Sequence, residues 1–338
     1  MELLRDRPEP RPPLPLLVTG VAGVAGYAAF RHFQRLYPGQ VIGTRRVDNW
    51  RLQGEGIVGV DVDDHHGFAE LFRRHRFAAV LNCEGSCALK ACELDPPSAW
   101  RVNVFSVENL LEQLDGRGRL VHLSIDLVFS GLGDGGHRET DPTDPVTVYG
   151  RTMAQAESLV LQHSNACLLR ISLPMGVSFN GHAGAIDWIQ SRFKKDKPAT
   201  LYFDEVRTPT YCDCLNRVFA EVLANDLRGL FHAGGPRRLS LFQIAQIVNR
   251  VGGYDPDLLQ GCPRIDAGPM PPRAGDVSMD SSLLADALAA TPFDPWPVDP
   301  RWLPTDDRWH YRREGHTGSE QLLREQLYLN PDCGKSRE

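Results

Sequence analysis

The stretch Thr19-Gly20-Val21-Ala22-Gly23-Val24-Ala25-Gly26 restricts this chain more than any other segment. It follows a continuous apolar run, Leu14 to Thr19, and opens a helical segment, Gly23 to Tyr37, that Pro38-Gly39 stops. Between a buried strand and a helix, each glycine answers a steric need. Gly20 permits the tight turn, Gly23 lets backbone N–H groups approach a pyrophosphate, and Gly26 lets helix and strand pack closely. The loop therefore predicts a dinucleotide at the start of the first helix, with Gly20, Gly23, Val24, Ala25 and Gly26 around its phosphates.

The pattern downstream agrees with such a loop. Strands are expected at 40–44, 77–82, 119–124 and 166–171. Helices are expected at 68–75, 96–114 and 148–163. Alternation of this kind signals an α/β chain: a Rossmann-type, doubly wound parallel sheet with helices on both faces. After residue 172 loops lengthen, and glycine and proline cluster at 261–275 and 292–304. The expected organisation is a flexible leader at 1–13, an NAD(P)-binding domain at 14–172, a smaller substrate-binding cap at 173–305 and a tail at 306–338. This organisation leaves room for the cap to return a strand to the sheet. The glycine-containing loop Ser178–Ala185 is a candidate substrate loop, although an ordinary surface connection has the same composition.

Composition removes whole classes of function. The 338 residues carry 37 Lys+Arg against 43 Asp+Glu, a net charge of −6, so no basic surplus exists to neutralise a polyanion. Nucleic acid and membrane are therefore not expected partners. No apolar run approaches the length of a transmembrane helix. The charged, proline-rich start lacks a signal-peptide pattern, which leads to an expectation of a cytoplasmic protein. Eight cysteines, at 83, 87, 92, 167, 212, 214, 262 and 333, match no zinc spacing, and no metal is expected.

The end of the second strand bears on which dinucleotide binds. An acid there would hold the ribose 2′-hydroxyl of NAD(H). The chain instead has Gly43-Thr44-Arg45-Arg46, and two guanidiniums suit a 2′-phosphate. NADP(H) is thus favoured over NAD(H), with Asp61-Val62 placed to meet the adenine edge.

Several ordered motifs resemble one family. The glycine loop is that of extended short-chain dehydrogenases/reductases. The segments Val80-Leu81-Asn82-Cys83-Glu84-Gly85, Ala91–Asp95, Val102-Asn103-Val104 and His122–Gly131 are similar to the dTDP-4-dehydrorhamnose reductase branch. So are Glu139–Met153, Arg207-Thr208-Pro209-Thr210-Tyr211 and Met279–Leu284. The resemblance implies an NADP(H)-dependent reduction of a keto group on a deoxy-sugar nucleotide. It places Cys83, Glu84, Gly85, Ser124 and Tyr149 around the cofactor. It also places Asp126, Thr208, Pro209 and Thr210 around the substrate, and makes Tyr149 the proton donor.

Two departures cut against full activity. The family's hydroxyl residue before Asp126 is Ile125 here, and the lysine four residues after Tyr149 is Met153. Neither side chain can hold a carbonyl or a ribose hydroxyl. The same branch contains the non-catalytic β subunit of methionine adenosyltransferase. The alternatives are therefore a reductase working through Tyr149, a cofactor-binding regulatory or scaffold subunit, or an altered enzyme using Glu84, Asp126 or Cys87. A small molecule is the expected partner, a nucleotide-sugar by the resemblance. Each is compatible with a homodimer or a protein partner.

Overall fold

Seven parallel strands lie in the order β3-β2-β1-β4-β5-β6-β7 in a computed structural model. The structure describes residues 1–332 other than 117, 183, 314 and 316. Cys333 and the end of the tail lie outside the described residues. The strands are β1 Leu16–Thr19, β2 Val41–Arg45, β3 Ile57–Gly59, β4 Ala79–Asn82, β5 Arg119–Ile125, β6 Ala166–Ile171 and β7 Gly229–Ala233. Strand order reverses between β1 and β4, which opens a crevice at their carboxyl ends.

Burial on both faces explains why the strands read as continuous apolar runs. All four residues of β1 and all four of β4 are buried. Leu16, Val18, Leu81, Val121 and Leu123 pack with helix α1 (Val24–Leu36) and α5 (Cys212–Ala224). Leu17, Val80 and Leu120 face α2 (His65–His75), α3 (Ser106–Leu114) and α4 (Val148–Val160). The helix expected at 96–114 begins at Pro96, with Asp95 accepting from the Ser98 amide, and passes through a π-helical turn at Arg101–Phe105 before α3.

After β6 the chain builds a second layer from short strand pairs and two amphipathic helices, Ala185–Phe193 and Leu241–Gly252. The second helix shows why its ends fall where they do. Ser240 and Gln243 cap it reciprocally, and Gly253 ends it at φ 73°. The intervening chain returns to the main sheet as β7, in register with Cys167–Ile171 of β6. Among the described residues no helix is long and apolar enough to cross a membrane, and no group of three or more His, Cys, Asp and Glu could hold a metal ion.

The segment expected as a flexible leader is docked instead. The Leu4 amide donates to the Thr291 carbonyl at 2.9 Å, and the Thr291 amide donates to the Glu2 carbonyl at 2.8 Å. Arg5 pairs with Asp294 at 2.6 Å, and Glu9 meets His32 at 2.7 Å. Leu4 enters the main core at 2% exposure. Thr291 and Asp294, the partners of Leu4 and Arg5, are nearly three hundred residues away, beyond the reach of any local pattern.

One buried ion pair ties α4 to the sheet. Arg170 on β6 makes two hydrogen bonds to Glu157 on α4, at 2.8 and 2.7 Å, and stacks 5.1 Å from the Phe129 ring centroid. Buried pairs contribute little net stability, but removing one partner strands the other charge. Glu157→Leu alone is expected to lose about 3–5 kcal/mol in urea unfolding, and adding Arg170→Met should recover part of that loss.

Candidate functional site

The crevice between β1 and β4 is made by backbone in close contact. Gly20 turns at φ +65°, and a Cβ there would lie 2.4 Å from the Cys83 carbonyl oxygen and 2.7 Å from the Glu84 Cα. A Cβ on Gly26 would lie 2.4 Å from the Gly20 oxygen. Gly23 is different: its nearest neighbour is 3.5 Å away, so its open side faces the crevice. Two side chains lock the strand ends together. Thr19 Oγ1 donates to Asn82 Oδ1 and accepts from the Cys83 amide, while Asn82 Oδ1 also accepts from the Glu84 amide. Helix α1 starts at Gly23 with no side-chain cap, which leaves the first-turn amides at Val24, Ala25 and Gly26 as donors for an anion.

A cleft of about 150 Å³ opens here, lined by Gly20, Gly23, Arg46, Glu84, Gly85 and Val102 among others. A neighbouring hollow of about 200 Å³ is lined by Arg46, Asp48, Asp61, Val62, Asp63 and Arg101. Arg46 is common to both. The two arginines at the end of β2 have separate tasks. Arg45 donates to the carbonyls of Leu52 at 2.6 Å, Arg46 at 2.9 Å and Val47 at 3.2 Å, so its guanidinium holds its own loop. Arg46 pairs with Asp48 at 2.9 Å. Asp61 accepts from the Val47 amide at 3.1 Å and so also braces that loop.

Glu84 is half-buried at the crevice wall. Burial pushes its carboxyl up to about 7, with Asp61 adding to the rise. Arg46 and a hydrogen bond from the Gly20 amide oppose it. Burial also raises the neighbouring Cys83 thiol, so that group stays protonated.

Past Gly85 lies an apolar cluster. Tyr149 and Met153, on the first turns of α4, are 6% and 4% exposed. They pack with Cys92, Val128 and Phe129, and Ile125 adds a further apolar wall. The Met153 sulfur lies 4.0 Å from where a Cβ on Gly85 would sit. Burial, before any charge, raises the Tyr149 hydroxyl well above the usual phenol range. Arg207 alone among the charged groups around it pulls the other way. Tyr149 therefore carries its proton throughout the neutral range and can donate it.

Several expected site residues serve the interior instead. Ser124 faces α4, not the crevice, and its hydroxyl donates to Glu157 at 2.5 Å. Strand alternation dictates this, because Leu120, His122 and Ser124 share one face. Asp126 is fully buried and accepts from Arg207 and Ser172. Thr208 and Thr210 are 1% and 0% exposed, and their hydroxyls have no partner among the described residues. A Cβ on Gly235 would lie 2.1 Å from the Pro209 carbonyl oxygen, so Pro209 marks a backbone crossing rather than an open surface. In the candidate loop at 178–185, residue 183 lies outside the described residues, and Ser178 donates to Asp187 at 2.6 Å.

Asn103 has a role that sequence reasoning left unassigned. It accepts from the Ser86 amide at 2.7 Å and donates to Thr152 at 2.8 Å, bridging the β4 loop to α4. Glu93 is similar, accepting from the Val148 amide at 2.6 Å at the start of α4. A lone asparagine within the apolar Val102–Val104 stretch was the available signal.

Comparison with known proteins gives a consistent picture. The family described as RmlD substrate binding domain matches residues 14–296. A probable low-salt glycan biosynthesis reductase, Agl14, of Haloferax volcanii is 26% identical over 239 residues, covering 65% of this chain and 80% of that one. The dTDP-4-dehydrorhamnose reductase of Mycolicibacterium smegmatis is 27% identical over 274 residues, covering 76% and 80%. A solved dTDP-4-dehydrorhamnose reductase from Bacillus anthracis, in complex with NADP, superposes with a TM-score of 0.66 at 17% identity, covering 80% and 92%.

The tight turn can be tested against an open one. Gly39 has a similar φ of +73° with nothing within 4 Å of a Cβ. Gly39→Ala should cost about 1–2 kcal/mol, the left-handed backbone penalty alone. Gly20→Ala meets the Cys83–Glu84 backbone as well and should lose clearly more in the same urea titration.

Proposed function

The chain belongs to the RmlD substrate binding domain family, and from that premise we propose that it binds NADP(H) and reduces a keto group on a nucleotide-linked deoxy sugar, slowly, with Tyr149 as sole proton donor. The observation that carries this reading is the cradle. Two glycines fill places where any Cβ would strike backbone, and a third opens onto the uncapped first turn of α1. These residues fit a pyrophosphate.

When bound, a reduced nicotinamide supplies the hydride to the substrate carbonyl carbon. The chain's own residues do the rest. Gly20, Gly23 and the amides at Val24, Ala25 and Gly26 hold the pyrophosphate. Arg46 takes the 2′-phosphate, since Arg45 is committed to its own loop. Cys83 and Gly85 border the ribose path, with Val62 and Asp61 at the adenine side. The Tyr149 hydroxyl gives its proton to the substrate oxygen as that oxygen becomes a hydroxyl. A phenol held above its usual pKa is a poor base, so the reverse oxidation is disfavoured.

A second reading has its own observation. Ile125, Tyr149 and Met153 pack as apolar neighbours, and burial holds the tyrosine above its usual pKa despite the opposing pull of Arg207. That arrangement suits a nucleotide-binding regulatory or scaffold subunit without turnover.

Titration with NADPH and NADH comes first; binding of neither would end both readings. Arg46→Ala should weaken NADPH more than NADH. Turnover of a dTDP-4-keto-6-deoxy sugar should fall on the order of 10²-fold or more in Tyr149→Phe. No detectable turnover by the wild-type chain, with gain of activity in Ile125→Thr/Met153→Lys, selects the second reading.

A further inference from the structure

The free protein places a carboxyl residue of its own in its phosphate cleft. Glu84 leaves the carboxyl end of β4 directly against the glycine turn, its Cα 2.7 Å from where a Cβ on Gly20 would sit, and it lines the same cleft as Gly20, Gly23 and Arg46. Arg46 stands on the same cleft wall and supplies the favourable charge. The glycine turn is where a dinucleotide's pyrophosphate is received, and Arg46, the partner of the 2′-phosphate in the dinucleotide reading, stands on the same wall. The carboxylate and the incoming phosphates therefore need the same positions. The other groups around Glu84 do not relieve the conflict. Asp61, from the loop after β3, adds negative charge. Arg45, at the end of β2, is spent on three backbone carbonyls. Cys83 is a neutral thiol, and the π-helical turn contributes only Val102 to the cleft.

We propose that Glu84 competes with the ligand's pyrophosphate for the cradle, so that dinucleotide binding takes up one proton onto the Glu84 carboxyl. This rests on the dinucleotide reading above and adds a regulation to the same site. The proton comes from solvent, and no other covalent bond forms or breaks. The carboxyl becomes neutral and changes from acceptor to donor, free to meet a phosphate oxygen. Burial raises Glu84 to about 7, so the free protein is close to half-ionised at neutral pH. The sign follows directly: the neutral form binds, so affinity is greatest at low pH and falls as Glu84 ionises.

NADH is the probe, because it lacks the titrating 2′-phosphate and its charge is constant across the range. Calorimetry on the full chain, between about pH 6 and pH 9 in two buffers of different ionisation heat, reads both Kd and proton uptake. For the wild type, Kd should rise toward tenfold per pH unit above about pH 7, with uptake approaching one proton. Glu84→Gln should bind with a flat profile, take up no proton and bind more tightly than the wild type near pH 8. A flat wild-type profile overturns the proposal, as does a slope retained in Glu84→Gln. Weaker binding by Glu84→Gln near pH 8 also overturns it, since the carboxylate would then be a ligand to the nucleotide. Glu84→Ala separates loss of charge from loss of a donor and should likewise be flat. If neither NADH nor NADPH binds any of these chains at the acid end, the dinucleotide reading itself fails. A pH-independent wild type that does bind removes only the role of Glu84.

Discussion

The contact between the turn after β1 and the end of β4 governs the rest of the molecule. It is backbone against backbone, with room for hydrogen and nothing larger at Gly20. Thr19 and Asn82 fix the two strand ends at the same height, so the crevice falls where strand order reverses. Every wall of the cleft is referred to that junction. The β4 loop carries Glu84 and Gly85 out of it, Asn103 holds that loop to α4, and α4 in turn presents Tyr149. A shift of the turn by a methyl group would move all of them.

The cleft and the cluster beside it differ in dielectric character. The cleft is charged, with Arg46 shared between the hollow that holds Asp61 and the one that holds Glu84. The cluster on α4 is apolar, built from Ile125, Tyr149, Met153 and Phe129. Low dielectric penalises a phenolate as it penalises any unpaired charge, so Tyr149 keeps its proton. The same physics acts on Glu84 with a milder result, because a guanidinium and an amide offset part of the cost.

Local features of the fold were legible in the sequence, and long-range ones were not. The glycine loop, the buried strands and the helix stop at Pro38-Gly39 are written in spacing and residue type, and the expected elements lie within a few residues of their places. The side of the sheet taken by Ser124 was also implicit in the two-residue period of a strand, yet its partner Glu157 is thirty-three residues on. The paired arginines show the limit more sharply. Arg45 and Arg46 are chemically identical and both line the cleft, and only the path of the loop to Leu52 decides that the first guanidinium is taken by backbone carbonyls. The burial of Asp126 depends on Arg207, and the docking of Leu4 depends on Thr291; neither distance leaves a periodic trace. The three-residue β3 is too short to carry one.

The return of β7 to the sheet has a topological consequence. The strand beside β6 is supplied by chain that has first built much of the second layer. No single cut between residues 172 and 229 yields two self-sufficient pieces: the first would expose the bare hydrogen-bonding edge of β6, and the second would carry an orphan strand. The two layers are thus woven rather than hinged. Relative movement between them must be accommodated in the connecting loops, because the chain passes from the sheet to the second layer and back.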